Sequence, residues 1–143
     1  MADPLSITAS VLTLVTTACQ AVKSLYGTVE RYQGRDRNLK ALYAELEQVS
    51  NILTSLSKVT HIDESLWSLL SGPIERCSRI CIEFEGAMKT FSNGRPKASF
   101  MDWAKLEFKK GTITEFTDEI AGYKSTITVG LGIINMLVLS HPY

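Results

Sequence analysis

Leu39, Leu42, Leu46, Val49, Leu53 and Leu56 recur at intervals of three, four, three, four and three residues. That spacing puts all six on one stripe of an α-helix, whereas a strand alternates its side chains with period two and would scatter them over both faces. The same rhythm returns in Ile74, Cys77, Cys81, Phe84, Met88 and Phe91, and again in Ile113, Phe116, Ile120, Tyr123, Ile127, Gly130, Ile134 and Leu137. Val15, Ala18, Val22, Leu25 and Val29 make a fourth copy. Each stripe must be covered, and the simplest cover is the other three. The expected fold is therefore all-α, an up-down bundle of four long helices plus one or two short connecting helices. At 143 residues the chain is long enough for one domain with a substantial core and too short to expect two, so residues 1–143 are read as one domain.

Helix boundaries follow from local chemistry. Asp3 suits an N-cap and Pro4 the first helical position, so the first helix is expected from Pro4 to about Arg31 or Tyr32. The second begins near Asp36 or Asn38 and runs to about Lys58. Asp63 to Leu70 reads as a short connecting helix that Ser71-Gly72-Pro73 ends, with the third long helix starting at Pro73 and stopping at Ser92-Asn93-Gly94. Ser99 to Lys110 reads as a second short helix, and Thr112-Ile113-Thr114-Glu115 is a capping box that opens the last long one.

Pro4 to Val22 carries no charge. Leu5, Ile7, Val11, Leu12, Leu14 and Val15 spread around a helical wheel instead of keeping to one stripe, a pattern that suits burial on all sides or contact with lipid. These six are the candidate membrane-inserting residues, and residues 1–22 the candidate membrane-active segment. Interleaved Ser, Thr and Gln bring the insertion balance close to zero, so such a helix can choose its environment. No Lys or Arg precedes the apolar run, which does not read as an export signal.

The last helix is also uncharged from Ser125 to Ser140. Gly130 and Gly132 are expected at a close helix–helix contact, with this end laid against the apolar half of the first helix. Trp103 beside Lys105, Lys109 and Lys110 suits a lipid headgroup layer. The plainer alternative is that Trp103 and Leu106 cap the core while the lysines are solvated.

Fifteen basic residues balance fifteen acidic ones, which argues against a general nucleic-acid binder, since that needs a cationic face. Cys19, Cys77 and Cys81 sit at apolar helix positions and read as buried thiols. The two histidines, His61 and His141, have no ligand spacing with them, so no metal or cofactor is expected. The chain lacks the G-x-S-x-G, P-loop, G-x-G-x-x-G and H-E-x-x-H patterns. Glu83 with Glu85 and Asp118 with Glu119 read as solvated helix faces and not as acid/base pairs. An enzyme is not expected.

Met1-Ala2-Asp3-Pro4-Leu5-Ser6-Ile7-Thr8-Ala9-Ser10-Val11, together with Trp103-Ala104-Lys105 leading into Tyr123-Lys124-Ser125-Thr126, resembles the HeLo-like domain at the N-terminus of many fungal NLR-type receptors. The resemblance covers nearly the whole chain. It implies a bundle similar to the executioner domain of the mixed-lineage kinase-like necroptosis protein, acting in programmed cell death and heterokaryon incompatibility. The implied sequence of events is amyloid-templated or receptor-driven self-association, then permeabilisation of an anionic plasma membrane by the first helix of a protein that is cytoplasmic at rest. The implied partners are membrane lipids, further copies of the chain and an upstream receptor or amyloid-motif protein, of which this chain would be one domain or a stand-alone companion. Some members carry a glycine zipper in the first helix; here no glycine precedes Gly27, and Ser6, Ala9, Ser10, Thr13 and Thr17 offer small residues instead. The competing expectation is a non-enzymatic adaptor or dimerisation domain whose apolar ends pair with a partner helix.

Overall fold

A computed structural model of the chain describes residues 4–32, 37–59, 62–92 and 112–140. They form four helices, α1 (Pro4–Tyr32), α2 (Arg37–Ser57), α3 (Glu64–Ser92) and α4 (Thr112–Ser140), with no strand among the described residues. Asp3, the short helix expected over Ser99 to Lys110, and with it Trp103, Lys105, Lys109 and Lys110, lie outside the described residues.

The six-residue stripe of α2 is buried along its whole length. Its last turn tightens: Lys58 N–H bonds Ser55 C=O and Val59 N–H bonds Leu56 C=O, the 3₁₀ closure that satisfies a helix's final carbonyls. The α1 stripe of Val15, Ala18, Val22, Leu25 and Val29 is likewise buried.

The third helix departs from expectation. The connecting helix expected over Asp63 to Leu70 is not separate; Glu64–Ser92 is continuous, with Pro73 inside it. Asp63 is its N-cap, accepting the Ser65 N–H on Oδ2 at 3.2 Å. Pro73 removes one backbone hydrogen bond, at a cost of up to about 3 kcal/mol. Leu66, Leu70, Ile74, Cys77 and Cys81 are all buried and run across Pro73 at intervals of four, four, three and four. That continuous seam keeps the turns on either side of Pro73 in one rod.

Pairs of contacts give the directions. Cys19 lies against Thr54 and Tyr26 against Tyr43, so α1 and α2 are antiparallel. Phe84 stacks on Phe116 while Leu70 meets Gly130, so α3 and α4 are antiparallel too. Lys124 Nζ lies 2.8 Å from both Glu45 Oε2 and Gln48 Oε1, tying α4 to α2. α1 packs on α2 and α3, and α4 packs on the same two helices from the other side. The result is the up-down bundle, with α1 and α4 on one diagonal.

This arrangement corrects the expected docking of the end of α4 on the first helix. A seam specifies which residues are buried, not which neighbour buries them. With α1 across the diagonal, the end of α4 is covered on its inner face only, and Val129, Ile133, Met136 and Leu137 remain exposed.

Candidate functional site

Along α1 the surroundings change at Val15. Upstream, Ser10 and Leu12 are exposed while Val11 and Leu14 are half-buried against the core. From Val15 onward the inner face is buried through Ala18, Cys19, Ala21, Val22, Leu25, Thr28 and Val29. The cause is the length of α2, whose last turns reach α1 at the Cys19–Thr54 contact. α2 ends at Ser57, one turn past that contact, and its cover of α1 gives out ahead of Val15.

Of the candidate membrane-inserting residues, Val15 is fully buried, Val11 and Leu14 are partly covered, and Leu12 is 53 % exposed. The side chains of Leu5 and Ile7 lie outside the described residues. The leading half is also not apolar all round over the described side chains. Ser10, Thr13, Thr16, Thr17 and Gln20 take its outward face. Ser10, Thr13, Leu14 and Thr17 line a shallow, open groove of about 400 Å³. The surface is uncharged and carries hydroxyls, with apolar side chains on the opposite side.

Gly130 and Gly132 separate. Residues two apart on a helix face nearly opposite ways. Gly130 is buried, and a Cβ there would run into the Leu70 side chain, so its missing side chain lets α4 close on α3. Gly132 is exposed, with open space where a Cβ would stand.

The polar centre of the fold was not legible in the sequence. Glu85, expected on a solvated face, is buried at 9 % exposure and points at α1, whereas Glu83 is exposed. Thr28 Oγ1 donates to Glu85 Oε2 at 2.6 Å. Ser24 Oγ stands 2.7 and 2.8 Å from the two carboxylate oxygens and shares its proton between them. Lys89 Nζ, one turn along α3, lies 3.4 Å from Oε2. Burial alone would raise the pKa of Glu85, but the hydroxyls of Thr28 and Ser24 and the Lys89 charge outweigh it and hold the carboxyl below its ordinary range. The only sequence signal was Lys89 four residues after Glu85, a pairing common on solvated helices.

The same end carries two aromatic stacks. Tyr26 and Tyr43 lie with ring centroids 4.3 Å apart and their hydroxyls hydrogen-bonded, and Phe84 stacks on Phe116 at the same separation. Cys77 and Cys81 are buried neighbours, and the hydrogen bond between them together with burial pushes the Cys81 thiol well up. A thiol so held is a poor nucleophile. Among the described residues, no group of three His, Cys, Asp or Glu side chains could hold a metal ion, and no helix is long and apolar enough to cross a membrane.

Comparison with the curated proteins and with the solved structures finds no match. A family model does match, over residues 2–141, and its length covers all four helices. The chain belongs to the family described as Pigment biosynthesis cluster protein PigL N-terminal.

Proposed function

We propose that this domain is a non-enzymatic effector of the HeLo-like kind, a stored helical bundle that passes the leading part of α1 to a membrane once copies are gathered. One observation carries the reading: the uncharged stretch from Pro4 to Val22 includes, ahead of buried Val15, a part whose described apolar side chains are exposed at Leu12 and only partly covered at Val11 and Leu14. Apolar side chains there lose little by exchanging neighbours for acyl chains, since lipid tails are as apolar as leucine. The kinship of the PigL N-terminal family with HeLo-like fungal domains lends the reading further support. In it the protein is cytoplasmic at rest and moves to the plasma membrane on activation. The leading segment acts at the membrane surface or within one leaflet, in keeping with the absence of a spanning helix among the described residues. The family name points to a pigment-biosynthesis cluster, in which such a domain would serve as a non-catalytic partner.

The test is dye release from phosphatidylserine-containing vesicles by the wild type and by Leu12→Lys. Leu12 is half exposed, so the substitution spares the core while placing a charge in the leading segment. Loss of leakage with unchanged helicity is the expected result. Equal leakage from both proteins discards the membrane reading.

A second reading has its own observation. Val129, Ile133, Met136 and Leu137 form an exposed apolar stripe on the outer face of α4, as expected of an adaptor that pairs with a partner helix. It predicts a stable soluble oligomer with no vesicle binding, which sedimentation with and without lipid distinguishes.

A further inference from the structure

The carboxylate of Glu85 binds α1 to α3 immediately beyond the uncharged stretch. Val22 ends that stretch, Lys23 follows, and Ser24 donates a hydrogen bond to Glu85. We propose that Ser24, Thr28 and Glu85 form a hinge anchor: when Pro4 to Val22 leaves the bundle, Ser24 to Tyr32 stays on α3. This inference rests on the membrane reading above and adds to it the point at which α1 divides.

The contacts on the two sides of Lys23 differ in kind. Before it, α1 is held mainly by apolar burial, at Val15, Ala18, Ala21 and Val22. Such contacts are non-directional, and acyl chains can replace them. After it, directional polar bonds to both neighbours are added to the burial of Leu25 and Val29. Ser24 and Thr28 bond Glu85 on α3, and Tyr26 bonds and stacks on Tyr43 of α2. Acyl chains cannot replace those partners. Removing the hydroxyls from Glu85 would leave a buried carboxylate short of donors, the costly case for a polar group in an apolar setting. The attachment that rests mainly on apolar burial therefore ends, and the one reinforced by directional bonds begins, at the first charge.

The anchor also gives the departing segment a fixed base. The bundle left behind keeps α2, α3, α4 and the last turns of α1. Its polar centre keeps its hydrogen bonds when the leading segment departs.

Hydrogen exchange of the full chain, with and without phosphatidylcholine–phosphatidylserine vesicles, tests the division. In the wild type, exchange over residues 4–22 is expected to change on adding vesicles, while residues 24–32 and 81–89 keep their protection. Thr28→Val, which keeps the shape and removes the hydroxyl, is expected to extend the change into residues 24–32, and Thr28→Ser to restore the boundary. If residues 24–32 change together with 4–22 in the wild type, or Thr28→Val leaves the boundary in place, the anchor is wrong while the membrane reading stands. No change over residues 4–22 in the presence of vesicles overturns the membrane reading and the anchor with it.

Discussion

The two ends of the bundle are built differently. At one end, α1, α2, α3 and α4 meet through stacked rings and a hydrogen-bonded carboxylate: Tyr26 on Tyr43, Phe84 on Phe116, and Glu85 under Ser24 and Thr28. At the other, α2 stops short, Leu12 and Leu69 stand exposed, and the outer face of α4 shows Val129 and Met136 to solvent. Directional contacts fix one end in a single arrangement; the other end relies on apolar cover that is incomplete. Local opening is expected to begin where directional bonds are fewest, so the molecule should loosen from the Leu12 end.

The largest effects should come from substitutions inside the common core. Val15→Asp would put a carboxylate at a fully buried site, at a cost above roughly 4 kcal/mol, a large share of the about 5–15 kcal/mol that holds an ordinary domain together. Circular dichroism and a thermal melt would show it. That variant cannot report on membrane action, because its defect is structural.

At the bonded end, Glu85→Ala should destabilise by about 1.5–3 kcal/mol, since it removes charge-assisted bonds, while the Thr28 hydroxyl keeps the Ser24 carbonyl at 3.1 Å as an acceptor. The same site gives a pH signature. The carboxyl is held below its ordinary value in the fold, so its contribution is complete above the unfolded pKa near 4.3 and is lost as pH falls through the lower folded value. Denaturant midpoints measured downward from neutral pH should fall in the wild type below about pH 5 more steeply than in Glu85→Gln. Parallel acid limbs in the two proteins would show that the carboxylate is not bonded as described.

How far the sequence anticipated this depends on the kind of interaction. The α2 stripe was fully legible because six apolar residues at helical spacing have one way to be buried, and all six are. Pro73 misled because Ser71-Gly72-Pro73 is strong local punctuation, while the seam from Leu66 to Cys81 that overrides it acts over longer range. The pairing of helices was not legible: four similar seams do not encode which rods are diagonal. Nor was the burial of Glu85, because the hydroxyls it bonds lie 57 and 61 residues away on another helix. A carboxylate flanking a stripe is usually solvated, and only the fold shows that hydroxyls await it. In the leading segment the absence of charge was legible, but the division between buried Val15 and exposed Leu12 follows from where α2 ends.

At the open end the two glycines should respond with opposite sign. Gly130→Ala drives a methyl into buried Leu70, so overpacking exceeds the gain in helix propensity and the net loss should be about 1–2 kcal/mol. Gly132→Ala meets open space and should stabilise by about 0.8–1 kcal/mol through propensity alone. Chemical denaturation of the pair tests the geometry of α4 directly. Equal effects would mean that α4 is rotated from the orientation described here.

The smallest effect on stability is expected where the proposed function is most exposed. Leu12→Lys replaces a half-exposed side chain by one whose aliphatic stem can cover the same surface while the ammonium reaches water, so stability should change by no more than about 0.5 kcal/mol. In a membrane the same lysine is unfavourable by about 2.5–3.5 kcal/mol if carried to the hydrocarbon centre, and by less near the headgroups. The comparison between the ends then becomes quantitative. A change nearly silent in the folded bundle but strong in vesicle leakage would place the acting surface on the loosely covered part of α1. A change silent in both would return attention to the apolar face of α4, where Val129→Lys tests pairing with another helix in the same way.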